Sequence, residues 1–262
     1  MDVRKLLFRA LVVSVAALLP LVAIAAEPGD SLKLMSYNLR FGELSSMEDI
    51  AAFIKGETPD IVALQECDWD THRTRAPHQN GVKFINELAY HSGMFGIYGK
   101  SIDYSGGYYG IGILSRYPII RSERVLLPND GKTEQRSMLI ADIELPGGRV
   151  VTFVCTHLEV KSSEMRVKQA RFIDRYLRKV RNPLFLCGDM NAEPDSPEME
   201  YLRSGWTDLT DRELTFSTVK PQTKIDYIYS RGSDASLIST AVCRGVFLSD
   251  HFPVISTVIL QQ

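Results

Sequence analysis

A chain of 262 residues with 45% hydrophobic and 24% charged content holds enough apolar material for one large domain or two small ones. It contains no low-complexity stretch and no block of like charge. The formal net charge of −2 gives no general attraction for a polyanion, so nucleic-acid binding would need a local basic patch or bound cations.

In chain order, the first feature is an export signal. Arg4, Lys5 and Arg9 precede an apolar run from Ala10 to Ala26, broken only by Ser14 and Pro20, and Ala23-Ile24-Ala25 offers small residues for cleavage. The pattern predicts a signal peptide over residues 1–25 and a periplasmic or secreted protein over 26–262. The run is short for a membrane span and contains a proline, and no cysteine near the cleavage point could take a lipid. Removing Asp2, Arg4, Lys5 and Arg9 leaves the mature chain at about −4.

Residues 32–38 then read as a strand. Ser46-Met47-Glu48-Asp49 resembles a capping box that opens a helix through Ile50, Ala51, Phe53 and Ile54, stopped by Thr58-Pro59. A buried strand at 61–64 ends at Gln65-Glu66, and a helix at 81–91 follows with Val82, Ile85, Leu88 and Ala89 at helical spacing. Residues 111–114 begin a strand, and strands at 137–145 and 149–155 flank Pro146-Gly147-Gly148, a hairpin signal. A helix at 163–180 carries Val167, Ala170, Ile173, Leu177 and Val180 three or four apart. Arg178, Lys179 and Arg181 suit its end, and Pro183 stops it. An apolar run at 184–187 and strands at 225–229, 236–242 and 254–260 complete one α/β domain. Cys155 and Cys187 lie in strand-like runs and read as buried free thiols. Cys67 and Cys243 have less definite settings, and one disulfide stays open.

Six apolar runs end at, or lead closely into, an acid, amide or histidine. These are Asn38, Glu66, His157, Asp189 with Asn191, Asp226, and Asp250-His251. Within Gly188-Asp189-Met190-Asn191 the two polar side chains stand on alternate residues, and Gly188 permits close backbone approach. Singly, each group has an ordinary reading. Asn38 and Asp250 suit turns, Glu66 suits the surface, His157 and His251 suit a satisfied core, and Asp226 suits pairing with Lys224 or Arg231. Jointly, strand ends of a layered α/β protein converge on one edge, where sites are built.

The joint pattern resembles the endonuclease/exonuclease/phosphatase superfamily of the DNase I-like fold. The matching segments are Met35-Ser36-Tyr37-Asn38-Leu39-Arg40, Leu64-Gln65-Glu66, Ile113 to Ile119, Thr156-His157-Leu158, Gly188 to Asn191, Ile225-Asp226-Tyr227-Ile228 and Ser249 to Val254, in the family's order. The resemblance implies a four-layered α/β sandwich of two mainly antiparallel sheets flanked by helices. It also implies hydrolysis of phosphate esters with Mg²⁺, or with Mn²⁺ or Ca²⁺ in its place. By the same resemblance Glu66 is the main metal ligand, with Asn38 beside it and Asp250 sharing a cation. His251, oriented by Asp226, is general base or acid. Asp189 and Asn191 position water and phosphate, and His157 contacts the phosphate. Which of His251 and Asp189 takes the water's proton stays open. Arg40 and Arg136 are candidate phosphate ligands beside His72-Arg73-Thr74-Arg75. The stretch Gly99 to Gly110 resembles a segment of small secreted bacterial members, with Tyr109 reaching substrate from a rim loop.

Independently of the resemblance, phosphoryl transfer needs a cation, an aligned water and a proton acceptor, which hard oxygen ligands and a carboxylate-paired histidine supply. No closely spaced His or Cys set suits zinc, and no G-x-S-x-G marks a serine hydrolase. Within the class, the acidic charge disfavours a nuclease and any stable nucleic-acid complex. No exposed apolar hairpin marks a sphingomyelinase-like enzyme, and basic rim residues are only suggestive of inositol phosphates. A non-catalytic extracellular binding protein is the reading from another class. The mature chain is expected to be monomeric, with no membrane span.

Overall fold

Alternation along the strands separates three apolar layers. Leu32 and Leu34 of the first strand enter one core, and Met35 and Tyr37 enter another on the opposite face. The computed structural model describes residues 31–231 and 235–261; the expected signal peptide lies outside them. The elements are β1 (Ser31–Asn38), α1 (Met47–Glu57), β2 (Ile61–Trp69), α2 (Phe84–Ser92), β3 (Phe95–Tyr104), β4 (Gly107–Ser115), β5 (Ile119–Leu126) and β6 (Ser137–Glu144). They continue with β7 (Val150–His157), α3 (Ser163–Leu177), β8 (Leu184–Asp189), α4 (Pro197–Arg203), β9 (Trp206–Asp208), β10 (Asp226–Arg231), β11 (Ala235–Val242) and β12 (Val254–Leu260).

Two six-stranded sheets result, ordered β11-β12-β1-β2-β4-β3 and β5-β6-β7-β8-β10-β9. Each has one parallel pair at its centre, β1 with β2 and β7 with β8, and is otherwise antiparallel. Helix α1 crosses between the first pair and α3 between the second. The sheets share a core of Leu34, Ala63, Ile113, Phe153, Phe185 and Ile228 with their neighbours. Helices α1 and α2 cover the far face of one sheet, and α3 and α4 cover that of the other. The fold is therefore the four-layered sandwich.

Local chemistry sets the boundaries. Ser46 caps α1 by accepting from Asp49 N–H, and its last turn closes at Thr58 in the left-handed region ahead of Pro59. Ser162 caps α3 by accepting from Met165 N–H, and Ala170, Ile173 and Leu177 form its buried stripe. The helix ends at Leu177, three residues before the expected Val180, so Lys179 and Arg181 lie beyond it. All four cysteines are free thiols, with Cys67, Cys155 and Cys187 buried. No helix among the described residues is long and apolar enough to cross a membrane.

Two expectations are corrected. The strand ending at Gln65-Glu66 instead runs on to Trp69, because a register shift between Leu64 and Cys67 accommodates these residues as a bulge. The Gly99 to Gly110 stretch is a hairpin of β3 and β4 rather than a rim loop. Its glycines serve close backbone packing, since a Cβ on Gly110 would stand 2.1 Å from the Gly99 oxygen. The strands β3, β5 and β9 and the seven-residue α4 gave no sequence signal that was recognised.

Candidate active site

Period-2 alternation delivers the polar groups to one place. Residues 32, 34, 36 and 38 of β1 share the face turned to the opposite sheet, as do 151 to 157 at odd numbers in β7 and 185, 187 and 189 in β8. Asp226 shares the face of Ile228 in β10. Asn38, His157, Asp189 and Asp226 thus continue the inter-sheet core to its edge, where the apolar residues stop. Glu66 reaches the same edge only because of the bulge. Val62, Leu64 and Cys67 all face the helices, so one step of alternation is lost between them and Glu66 is turned inward. Its φ of 57° records the distortion.

Asp189 stands at the centre. Register places it opposite both His157 and Asp226. Its Oδ2 accepts from Asn38 Nδ2 at 3.0 Å and lies 3.5 Å from His157 Nε2 and 3.7 Å from His251 Nε2, while Oδ1 accepts from Asn191 N–H at 2.8 Å. Gly188 makes the approach possible: a Cβ there would stand 1.9 Å from the Thr156 oxygen. Asn38 Nδ2 also donates to Glu66 Oε1 at 3.2 Å, and its Oδ1 accepts from Arg40 N–H. His251 comes from the loop before β12. Its Nδ1 lies 2.9 Å from Asp226 Oδ2, and its ring packs on Phe216 at 4.8 Å between centroids. Asp226 Oδ1 is buried without a partner. Glu66, Asn191 and Asp250 are partly exposed and mark the open side.

The electrostatics separate the two histidines. Burial alone would lower His251, but the Asp226 charge and hydrogen bond, then Asp189 and Asp250, raise it from 6.5 to about 10. Burial, then the Arg136 and His251 charges, hold His157 well below 6.5. Arg136 Nη1 can only donate to His157 Nδ1, at 3.1 Å, so neutral His157 carries its proton on Nε2, facing Asp189. Burial first and the Asp226 charge second push Asp189 from 3.8 to about 7, and burial raises Glu66.

Three expected rim residues are placed differently. Arg40 is engaged by Glu43 and Asp250, so Asp250 anchors an arginine rather than standing free as a ligand. Arg136 is buried between His157 and Glu134, with Nε unpartnered. Tyr109 is buried on β4, its phenol raised by burial and then by the Glu66 charge. Arg73 stacks over Tyr104 and Phe41 and pairs with Asp68. Asn191 donates its amide to the Leu158 oxygen, which ties two strand-end loops together. Sequence reasoning missed Phe216, Glu43 and Glu134, which lie in segments without periodicity, and Thr215, whose hydroxyl accepts from Asp226 N–H.

The sequence model of the Endonuclease/Exonuclease/phosphatase family matches residues 35–251. The chain belongs to that family. Members of the endonuclease/exonuclease/phosphatase family are hydrolases of phosphate esters and typically use a divalent metal. The Escherichia coli (strain K12) protein YbhP is 24% identical over 244 residues, covering 86% of this chain and 94% of YbhP. A family structure from Beutenbergia cavernae DSM 12333 superposes with a TM-score of 0.73 at 23% identity, over 88% of this chain and 72% of that one. The mannosyl-6-phosphatase Bt3783 of Bacteroides thetaiotaomicron VPI-5482 gives 0.68 at 18% identity, over 87% and 100%. These structural likenesses show the shared fold.

Proposed function

We propose that the chain is a metal-dependent phosphate-ester hydrolase, exported from the cytoplasm, that cleaves by in-line attack of an activated water. The observation that carries this reading is the convergence on Asp189 Oδ2 of Asn38, His157 and His251 at 3.0, 3.5 and 3.7 Å, at the open edge of the inter-sheet core. The basic head and A-x-A pattern of residues 1–25 support export.

The residues fit a hard divalent cation. Glu66 and Asp189 share the Asn38 amide as donor, Asp226 stands opposite Asp189, burial raises Glu66 and Asp189, and Asp226 Oδ1 has no partner. Asp189, Asp226 and His251 cluster within 4.8 Å of one another, and since His251 is protonated on both nitrogens the oxygens of the two aspartates are the ligand atoms there. Glu66 is the main ligand in this proposal, at the partly exposed side. Asn38 positions its carboxylate, and Asp250 contributes through Arg40. A bound cation would offset the negative charge of the phosphoryl oxygens.

The remaining roles fall to the chain itself. Asp189 orients the attacking water and accepts its proton, and Asn191 offers the oxygen of a carboxamide fixed by Leu158. His251, held protonated by Asp226, presents Nε2–H to the phosphate or the leaving oxygen. Neutral His157, fixed by Arg136, donates Nε2–H into the same space. Arg40 is held by Glu43 and Asp250 beside Asn38, whose Oδ1 accepts from the Arg40 N–H.

The acidic charge of the mature chain favours a small phosphate ester over nucleic acid. A turnover screen with Mg²⁺ across sugar phosphates, inositol phosphates, phospholipids and nucleic acid tests the reading. Release of phosphate or a cleaved ester from one class supports it. Metal binding without turnover of any class would make the chain a non-catalytic binder.

A further inference from the structure

A cavity of about 710 Å³ opens on the outer face of the second sheet, between β5 to β7 and the end of α3. It reaches Thr152 of β7, whereas the catalytic cleft lies at His157. Five residues of strand separate the two, roughly 16 Å at ~3.3 Å per residue.

Its lining carries Arg121, Arg175, Arg178, Lys179 and Arg181 against only Glu123 and Asp142. Asp142 accepts from Arg121 and from the Thr152 hydroxyl, and Glu123 accepts from the Tyr176 hydroxyl. Arg178 lies 3.6 Å from Asp174. Among the described residues, Arg175, Lys179 and Arg181 have no carboxylate partner and are exposed. The helix dipole accounts for cations only within the last turn. Lys179 and Arg181 lie past the end of α3 at Leu177, outside the reach of that dipole.

A further cation stands beside the cavity. Arg231 donates to the Leu177 carbonyl at the lip of the cavity. Burial first lowers its guanidinium below the ordinary value; Asp174 opposes this, and the Arg178 and Arg181 charges add to it. Unpaired cations are thus gathered in one concavity on a chain of net negative charge. The cavity is far larger than one phosphate group requires and is in the size range of ligand pockets. Guanidinium forks match phosphate oxygens in geometry as well as charge.

We propose that this cavity is a second, non-catalytic site that binds a ligand carrying two or more phosphate groups. It does not depend on the catalytic reading of the cleft, and the two fail separately.

The test is calorimetric titration of the purified protein in chelator with tripolyphosphate, with orthophosphate as the single-group comparison. Tripolyphosphate binds at least ten times more tightly than orthophosphate, and more weakly as salt is raised. The triple variant Arg175→Gln, Lys179→Gln, Arg181→Gln loses at least tenfold in affinity, with its melting temperature and phosphodiester hydrolysis unchanged. Equal affinity in parent and variant overturns the proposal, as does an absence of tripolyphosphate binding. Co-sedimentation with phosphatidylglycerol vesicles that needs the same residues, without tripolyphosphate binding, also overturns it in favour of a membrane-facing surface.

Discussion

His251 Nδ1 lies 2.9 Å from Asp226 Oδ2, with both side chains almost fully buried. An ionised carboxylate accepts only, so it fixes the proton on Nδ1 and turns Nε2 toward Asp189. Replacing Asp226 by Asn offers an amide donor in its place and lets the other tautomer form. Asp226→Asn is expected to lower kcat by about 10²–10⁴ with little change in KM, by analogy with other oriented histidines. Steady-state kinetics checks this; undiminished kcat would remove the orienting role.

The same pair sets a pH dependence. His251 is raised from 6.5 to about 10 in the folded chain, so its protonated form is the one the fold favours. Its stabilising contribution is complete below pH 6.5 and is lost as pH rises through about 10. Melting in chelator should show stability falling across this window, and Asp226→Asn should flatten the fall. Parallel slopes in the two proteins would show that the pair does not carry the effect.

Glu66 makes a separate claim on metal. Mg²⁺ should raise the melting temperature of the parent protein by the equivalent of about 2.7 kcal/mol at a hundred times its Kd. Glu66→Gln keeps the shape, removes a carboxylate that burial already disfavours, and should abolish most of that shift without lowering metal-free stability. A metal-induced shift of parental size in the variant would place the cation elsewhere.

Gly188 is a steric requirement. An alanine Cβ would stand 1.9 Å from the Thr156 oxygen, so Gly188→Ala must part β7 from β8. It is expected to destabilise by about 1–3 kcal/mol or more and to displace Asp189, lowering kcat. Gly56→Ala in α1 meets nothing within 4 Å and should be neutral or stabilising by about 0.5–1 kcal/mol. Denaturant melts of both variants separate the steric effect from a general glycine effect.

Much of this was legible from the chain because alternation and strand ends are local signals. The runs before Asn38, His157 and Asp189 announced both the strands and the polar groups that close them, Asp226 opens β10 instead of closing a strand, and Ser46 and Ser162 announced their helices. Glu66 is the instructive case. Regular alternation past Leu64 would have sent it to the helix side, and only the bulge brings it inward. Tyr109 failed for a related reason, since glycines that read as loop are there to let strands approach. Asp250 could not be placed because its partner Arg40 is 210 residues away. The edge strand β5, half exposed with charges interleaved, lacks the apolar contrast that reveals a buried strand.

The central claim is that Glu66 and His251 belong to one metal-dependent hydrolytic site. Its most direct measurement is the initial rate of bis-p-nitrophenyl phosphate hydrolysis by parent, Glu66→Ala and His251→Ala proteins, each with Mg²⁺ and with excess chelator. Turnover by the parent in Mg²⁺, lost in chelator and reduced at least a hundredfold in each variant, is the predicted result. Full activity in chelator, or in both variants, would contradict it.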